Sequence, residues 1–367
     1  MNIRLRNAIP WFPVVAFLAR VLGGAAAVAA PGAPAAEKVV MTDLLQVAVV
    51  VPDLQKAVEA YWDIFGVGPW RIHTTILPGK GGVNSSSVRL AYARTGNVGW
   101  ELIQPLAGRN IYRDFLESKG GGFHHVTLNP VMDYDSALAH FARRGMFPLL
   151  GGSWEGSGDY ACLDTAKDLH AVLEIFRPTE SGIPGPESAP EAWYPAPPSI
   201  HLHANSEVLL NKIFQIGIVV RSIDRSMTRY WDILGLGPWR VHTYRPETGL
   251  TRMTIRGKET DYAMKLAMAY TGPMMWELIE PLSGPTIYAD FLEQKGEGLH
   301  HVHCLVADYE KALTWLEKKG IGILMSGTMA QGSYAYLDTE KSLGFIIEIG
   351  KSRPPGIRPA VDAYYPR

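Results

Sequence analysis

The sequence is short of cysteine, of net charge and of long apolar runs. Two cysteines in 367 residues, Cys162 and Cys304, exclude a disulfide scaffold and any thiolate-rich metal cluster; both are expected as small buried apolar side chains. Basic and acidic side chains number 35 and 36, so a net charge of -1 leaves no basic excess to neutralise phosphates, which argues against a nucleic-acid partner. No stretch is long and apolar enough for a transmembrane helix, so no membrane span is expected. What is present is globular in composition, 47% hydrophobic and 19% charged. At ~100–200 residues per domain the length predicts two domains.

Residues 1–36 differ in kind from the rest. Arg4 and Arg6 precede an apolar run from Trp11 to Leu22, interrupted by Pro13 and Arg20, and Gly23 to Ala36 is almost wholly small residues and proline. A basic start, a short apolar stretch and small residues before a cleavage point predict a secretory signal, and with it a periplasmic or secreted protein. A disordered tail on a cytoplasmic protein is the alternative.

The remainder is a tandem repeat. QVAVVVPDLQKAVEAYWDIFGVGPWRIHT at 46–74 recurs as QIGIVVRSIDRSMTRYWDILGLGPWRVHT at 215–243, a spacing of 169 residues. WELIQPLAGRNIYRDFLESKGGGFHHV at 100–126 recurs from Trp276 at a spacing of 176, and YACLDTAKDLHAVLEI recurs as YAYLDTEKSLGFIIEI at a spacing of 174. The growth from 169 to 176 falls between Thr74 and Arg89, so the second copy carries a longer loop there. Domains are expected over 41–178 and 211–351, with a Pro- and Ser-rich linker over 179–210 and a tail over 352–367.

Within one copy, Leu44–Val51 reads as a strand, and Asp53 caps a helix that Gly66 stops near Phe65. Val88–Ala93, Gly99–Ile103, His124–Asn129, Tyr160–Leu163 and Ala171–Phe176 read as further strands. Ile111–Lys119 and Tyr134–Arg144 read as helices. The order strand, helix, strands occurs twice per copy, giving four α+β modules in the chain.

Polar residues interrupt these apolar strands at corresponding places: Gln46, Glu101, His125 and Glu174 in the first copy, Gln215, Glu277, His301 and Glu348 in the second. Carboxylates in such surroundings are costly unless paired or bound to a cation. Two carboxylates, an imidazole and an amide oxygen suit Zn, Ni, Co, Mn or Fe(II). A strand Glu is also commonly solvent-facing and a strand His merely hydrogen-bonded, so spacing alone leaves both readings open. His124 and His300 adjoin a candidate ligand, and strand alternation predicts that they point away from it. His73 and His242, after the repeated GPWR, and Tyr160 and Tyr334, on the strand before the last polar residue, are candidates to contact a substrate. Each is equally readable as packing.

The blocks WELIQPL…DFLESKGGGFHHV and WELIEPL…DFLEQKGEGLHHV resemble the vicinal oxygen chelate superfamily, whose members include glyoxalase I, methylmalonyl-CoA epimerase, extradiol dioxygenases and bleomycin-resistance proteins. The resemblance implies an α+β fold of tandem domains, each of two βαβββ modules forming a cupped mixed β-sheet around one divalent metal. Carried over, the resemblance implies Gln46, Glu101, His125 and Glu174, then Gln215, Glu277, His301 and Glu348, as the ligands. It implies a metal-dependent isomerase, epimerase or lyase acting by proton transfer on a small substrate that chelates the metal through neighbouring oxygens. Glu174 and Glu348 would then move the proton, with Glu101 and Glu277 opposite. Arg89 and Lys265 fall where the epimerase has a separate glutamate base; they cannot serve as that base but can hold a substrate anion. A dioxygenase needs two imidazoles on one metal, and each repeat offers one aligned His; a metal-free small-molecule binder is the other alternative. The protein is expected as a monomer of tandem domains or a homodimer.

Overall fold

The computed structural model describes residues 41–77, 85–130, 133–154, 157–179, 189–197, 212–306, 308–329, 332–351 and 360–366. The expected signal segment, much of the expected linker and most of the C-terminal tail lie outside the described residues. Among the described residues no helix is long and apolar enough to cross a membrane.

The first repeat runs β1 (Met41–Val50), α1 (Leu54–Phe65), β2 (Trp70–Leu77), β3 (Ser86–Thr95), β4 (Val98–Ala107), α2 (Ile111–Lys119), β5 (Gly122–Pro130), α3 (Tyr134–Ala142), β6 (Pro148–Trp154), β7 (Gly158–Leu163), α4 (Ala166–Leu169), β8 (Val172–Pro178) and β9 (Ala192–Tyr194). The second repeats this order as β10 (Ile213–Val219), α5 (Ile223–Leu234), β11 (Trp239–Tyr244), β12 (Thr251–Ile255), β13 (Lys258–Glu259), β14 (Ala263–Thr271), β15 (Met274–Ser283), α6 (Ile287–Gln294), β16 (Gly298–Leu305), α7 (Tyr309–Lys318), β17 (Ile323–Met329), β18 (Gly332–Leu337), α8 (Glu340–Leu343), β19 (Ile346–Gly350) and β20 (Ala363–Tyr365). Helix ends follow local chemistry: the Asp53 carboxylate accepts from the Lys56 amide at the start of α1, and Gly66, at φ 67°, ends it in the left-handed conformation. Strands β2 and β6 go beyond the sequence reading, because WRIHTTIL and PLLGGSW show no clean alternation of apolar and polar residues.

Each repeat forms its own mixed sheet. The first has strand order β6-β7-β8-β5-β1-β4-β3-β2-β9, the second β13-β12-β17-β18-β19-β16-β10-β15-β14-β11-β20. Each sheet is two βαβββ modules joined where their first strands pair antiparallel, β1 with β5 and β10 with β16. The modules therefore meet within a repeat.

Alternation divides each strand between two faces. On the helix side, Val47 and Val49 join Trp70, Trp100, Ile216, Ile218, Trp239 and Trp276 in one apolar core continuous across both repeats. The tryptophans therefore pack the core. On the other side, here called the cup, Ala48, Val50, Leu90, Tyr92 and Tyr112 line the first repeat, and Met264, Leu266, Met268, Tyr334 and Tyr336 the second. The longer loop predicted in the second copy is structured: a 3-10 turn at Pro246–Thr248 leads into the β12–β13 hairpin. Strand β12 pairs with β17, at the opposite edge from β11, so the insertion crosses the mouth of the second cup.

The repeats hold each other by reciprocal contacts. The Tyr61 hydroxyl donates to the Leu343 carbonyl at 3.0 Å, and its counterpart Tyr230 donates to Leu169 at 2.5 Å. Likewise Trp315 donates its indole N–H to Ile64 O, while His140 Nε2 meets Ile233 O at 2.9 Å. Matching residues contact matching residues, the signature of a two-fold interface. Removing either tyrosine hydroxyl strands a buried carbonyl, so Tyr61→Phe and Tyr230→Phe should each cost about 1–3 kcal/mol in urea unfolding of the full chain.

Candidate metal centres

Strand pairing brings the two polar sets together. Gln46 lies on β1, Glu101 on β4, His125 on β5 and Glu174 on β8, which are adjacent central strands facing the cup. All are nearly or wholly buried, as are Gln215, Glu277, His301 and Glu348. In the first repeat Gln46 Nε2 donates to Glu101 Oε2 at 2.7 Å, and the Tyr92 hydroxyl donates to Glu101 Oε1 at 2.8 Å. His125 Nε2 stands 3.6 Å from Glu101 Oε2 and 3.8 Å from Glu174 Oε2. Thr127 and Cys162 both donate to Glu174, at 2.9 and 3.3 Å. In the second repeat Gln215 donates to Glu277 at 2.6 Å, and His301 Nε2 lies 3.8 Å from Glu277 and 3.1 Å from Glu348.

A cation fits each set. His125 Nε2, His301 Nε2 and Glu348 Oε2 are buried polar atoms without a hydrogen-bond partner, each pointing among carboxylate or imidazole groups. Orphaned buried polar atoms are rare in native proteins. Here they are the atoms that a metal would take. His125, Cys162 and Glu174 present ligand atoms within 4.8 Å of one another, as do Glu277, His301 and Glu348. The ring of His301 lies over Gly217, where a Cβ would come within 1.9 Å of its Cε1.

The expectation for His124 and His300 needs correction. Ala48 pairs with His125 but Val49 with Phe123, and Gly217 pairs with His301 but Ile218 with Leu299. Each is a β-bulge, in which one extra residue turns to the same face as its neighbour. His124 therefore lies beside His125, Nδ1 to Nδ1 at 2.8 Å, and His300 beside His301 at 3.0 Å. In each pair one ring donates, and a proton on Nδ1 of His125 or His301 leaves Nε2 as a lone pair toward the carboxylates. His124 and His300 also line a cavity of about 260 Å³ between the repeats, together with Phe115, Lys119, Phe291 and Lys295. That cavity reaches the outer imidazoles rather than the ligand sets themselves.

Arg89 and Lys265 do not reach the sites. Each alternates with cup-facing residues, Val88 and Leu90 or Met264 and Leu266, and so lies on the helix side; Lys265 Nζ pairs with Asp224 Oδ1 at 3.2 Å. His73 faces the cup with its ring 6.3 Å from Tyr92, and His242 meets the Ala360 carbonyl at 2.6 Å. Tyr160, stacked on Trp154, stands two residues before Cys162 on the cup face. The Tyr334 hydroxyl shares a 2.6 Å hydrogen bond with Tyr262. Cys162, read from sequence as plain packing, touches Glu174, whereas Cys304 does sit in the apolar core. His303 was missed altogether: it aligns with Thr127, and its Nδ1 lies 3.3 Å from Glu348 Oε2.

Burial sets the protonation. It pushes the Glu348 carboxyl up to about 8 and His301 down to about 3. Burial also raises Glu174, against the pull of His125. For His125, burial lowers the value, but the neighbouring carboxylates of Glu101 and Glu174 outweigh it and the net shift is upward.

A family model described as Glyoxalase/Bleomycin resistance protein/Dioxygenase superfamily matches residues 45–162 and 214–336. An uncharacterized protein of Bacillus subtilis (strain 168), YqjC, is 26% identical over 144 residues, covering 38% of this chain and 91% of that protein. Mitochondrial methylmalonyl-CoA epimerase of Mus musculus is 36% identical over 86 residues, covering 23% of this chain and 44% of the epimerase, under half of its length. A mutant of 4-hydroxymandelate synthase from Streptomyces coelicolor superposes with a TM-score of 0.57 at 16% identity, covering 88% of this chain and 95% of the synthase.

Because Glu348 is protonated more readily folded than unfolded, its stabilisation is full below its ordinary value of 4.5 and is lost as pH rises through about 8. His301 has the opposite sign, but its contribution changes only below its ordinary 6.5. In chelator-treated protein the thermal midpoint should therefore fall between pH 6.5 and 8, and Glu348→Gln should flatten that fall.

Proposed function

The chain belongs to the glyoxalase/bleomycin resistance protein/dioxygenase superfamily, and from that premise we propose a divalent-metal-dependent isomerase, epimerase or lyase that moves a proton beside a chelated oxygen of a small substrate. The observation that carries this reading is the pairing, in each repeat, of a raised carboxyl with a buried imidazole whose Nε2 lacks a hydrogen bond. The bound metal, one of Zn, Ni, Co, Mn or Fe(II), would supply charge to stabilise an enolate or enediolate oxygen.

The chain's residues do the rest. Gln46, Glu101, His125 and Glu174 hold the metal in one repeat, and Gln215, Glu277, His301 and Glu348 in the other. Glu101 is tied by Gln46 and Tyr92, and Glu174, whose carboxyl burial raises, is assigned the taking and returning of the proton; Glu348 does the same opposite Glu277. Burial raises both carboxyls, Glu348 to about 8, which suits them to both halves of that transfer. Tyr160, on the cup face, would donate to a substrate oxygen; Tyr334 gives its proton to Tyr262, which donates on to the Ser326 carbonyl, and lines the same face. His73 and His242 border the same face. The epimerase among the relatives is one support for this reading.

A dioxygenase is the second reading, and His303 favours it in the second repeat by supplying another imidazole near Glu348. Oxygen consumption separates the two. Export is part of the proposal, resting on Arg4, Arg6 and the apolar run to Leu22. Cell fractionation with N-terminal sequencing of the mature protein checks it, and an uncleaved cytosolic chain overturns it.

The purified chain should carry one or two equivalents of metal by elemental analysis and lose them in the Glu174→Ala/Glu348→Ala double variant. The loaded protein should also exchange the C–H proton of an α-hydroxycarbonyl substrate with heavy water, slowed by about 10²–10⁴-fold in Glu174→Gln/Glu348→Gln. No metal after reconstitution with any of the five cations overturns the reading.

A further inference from the structure

The two sets are not copies of each other. In the first repeat Glu174 faces Thr127 across the β5–β8 pairing, and in the second Glu348 faces His303 across β16–β19. His303 lies two residues beyond His301 on the same strand face, with its Nδ1 3.3 Å from Glu348 Oε2 and 3.3 Å from Gln215 Oε1. Gln215 already spends its amide on Glu277, so its oxygen is the atom turned toward His303.

Room for this ring has been made elsewhere. Gly350, on β19, stands where the first repeat has Phe176, and a Cβ there would come within 2.3 Å of His303 Nε2. The pair Thr127 and Phe176, one small and one large, is thus replaced by His303 and Gly350, one large and one without a side chain. Phe214 braces the ring, centroid to centroid at 4.4 Å. An imidazole built in by a compensating exchange and aimed at a carboxylate oxygen is positioned rather than merely tolerated.

The carboxylates differ as well. In the first repeat neutral donors occupy both: Tyr92 and Gln46 on Glu101, Thr127 and Cys162 on Glu174. Each such bond uses a lone pair that a cation would otherwise take. Met268 replaces Tyr92 in the second repeat and can donate nothing to Glu277. Tyr336, in the place of Cys162, hydrogen-bonds the Glu348 carboxyl, but Glu348 Oε2 and His301 Nε2, 3.1 Å apart, are both left without hydrogen bonds.

We infer that His303 is an added imidazole ligand of the second repeat, and that the two repeats hold non-equivalent metal centres, the second being the tighter for nitrogen-preferring cations such as Co(II), Ni(II) and Zn(II). This rests on the reading of both sets as metal sites. Nitrogen ligands raise affinity along that series, and a second imidazole acts on one site only.

The test uses the full chain, stripped with chelator and titrated with Co(II) against a competing chromophoric chelator, with visible absorption reporting the ligand field. Two classes of site separated by at least tenfold are expected. His303→Thr should lower the tight class by tenfold or more and change its spectrum, while the weaker class, unaltered, shows that the protein remains folded. Thr127→His/Phe176→Gly should strengthen the weaker class. Two indistinguishable classes, or a tight class unmoved by His303→Thr, overturn the inference and leave the metal reading standing. Failure of the wild-type chain to bind Co(II) at all overturns both.

Discussion

Negative charge placed inside an apolar sheet must find a positive partner, and that constraint organises both repeats. Each of four central strands in each cup contributes one member of the polar set, and the four converge where β1 meets β5 or β10 meets β16. The protein's own groups answer the charge only in part. A proton on Glu348, a raised His125 and a few neutral donors neutralise some of it, but imidazole nitrogens and a carboxylate oxygen remain orphaned. Such an arrangement is expensive as structure alone. It becomes economical with a divalent cation, which is why the same residues that destabilise the sheet specify its chemistry.

The helix side supplies the stability that the cup side lacks. A single apolar core runs through both repeats, anchored by four fully buried tryptophans and by tyrosines that reach across to carbonyls of the other repeat. Close packing on that side holds the central strands, and with them the spacing of the candidate ligand atoms.

Much of this was legible in the sequence, for reasons that can be stated. The duplication, the cap at Asp53 and the stop at Gly66 are local signals, and the polar interruptions at Gln46, Glu101, His125 and Glu174 stand out against apolar neighbours. Family resemblance then supplied the cupped sheets and a set of candidate ligands, which the strand pairing brings together. Two positions misled because strand alternation was applied without a bulge: the extra residue beside His125 and beside His301 turns His124 and His300 onto the cup face, and no sequence signal marks a bulge there. Alternation did determine Arg89 and Lys265, and applying it strand by strand would have sent both to the helix side. His303 was hidden because matching repeats draws attention to what is shared. Setting Thr127 against His303, and Phe176 against Gly350, would have exposed the exchange.

The reciprocal contacts between repeats carry a consequence for how this protein can change. In a homodimer every substitution is written twice, once in each subunit, and the axis of symmetry is preserved whatever the mutation. Here the same pseudo-two-fold interface is built from one chain, so it cannot dissociate on dilution, and each half mutates alone. One cup can exchange a threonine for a histidine, drop a phenylalanine to glycine or grow a hairpin across its mouth while the other stays as it was. The covalent link therefore turns a symmetric assembly into two independently adjustable compartments on a common frame.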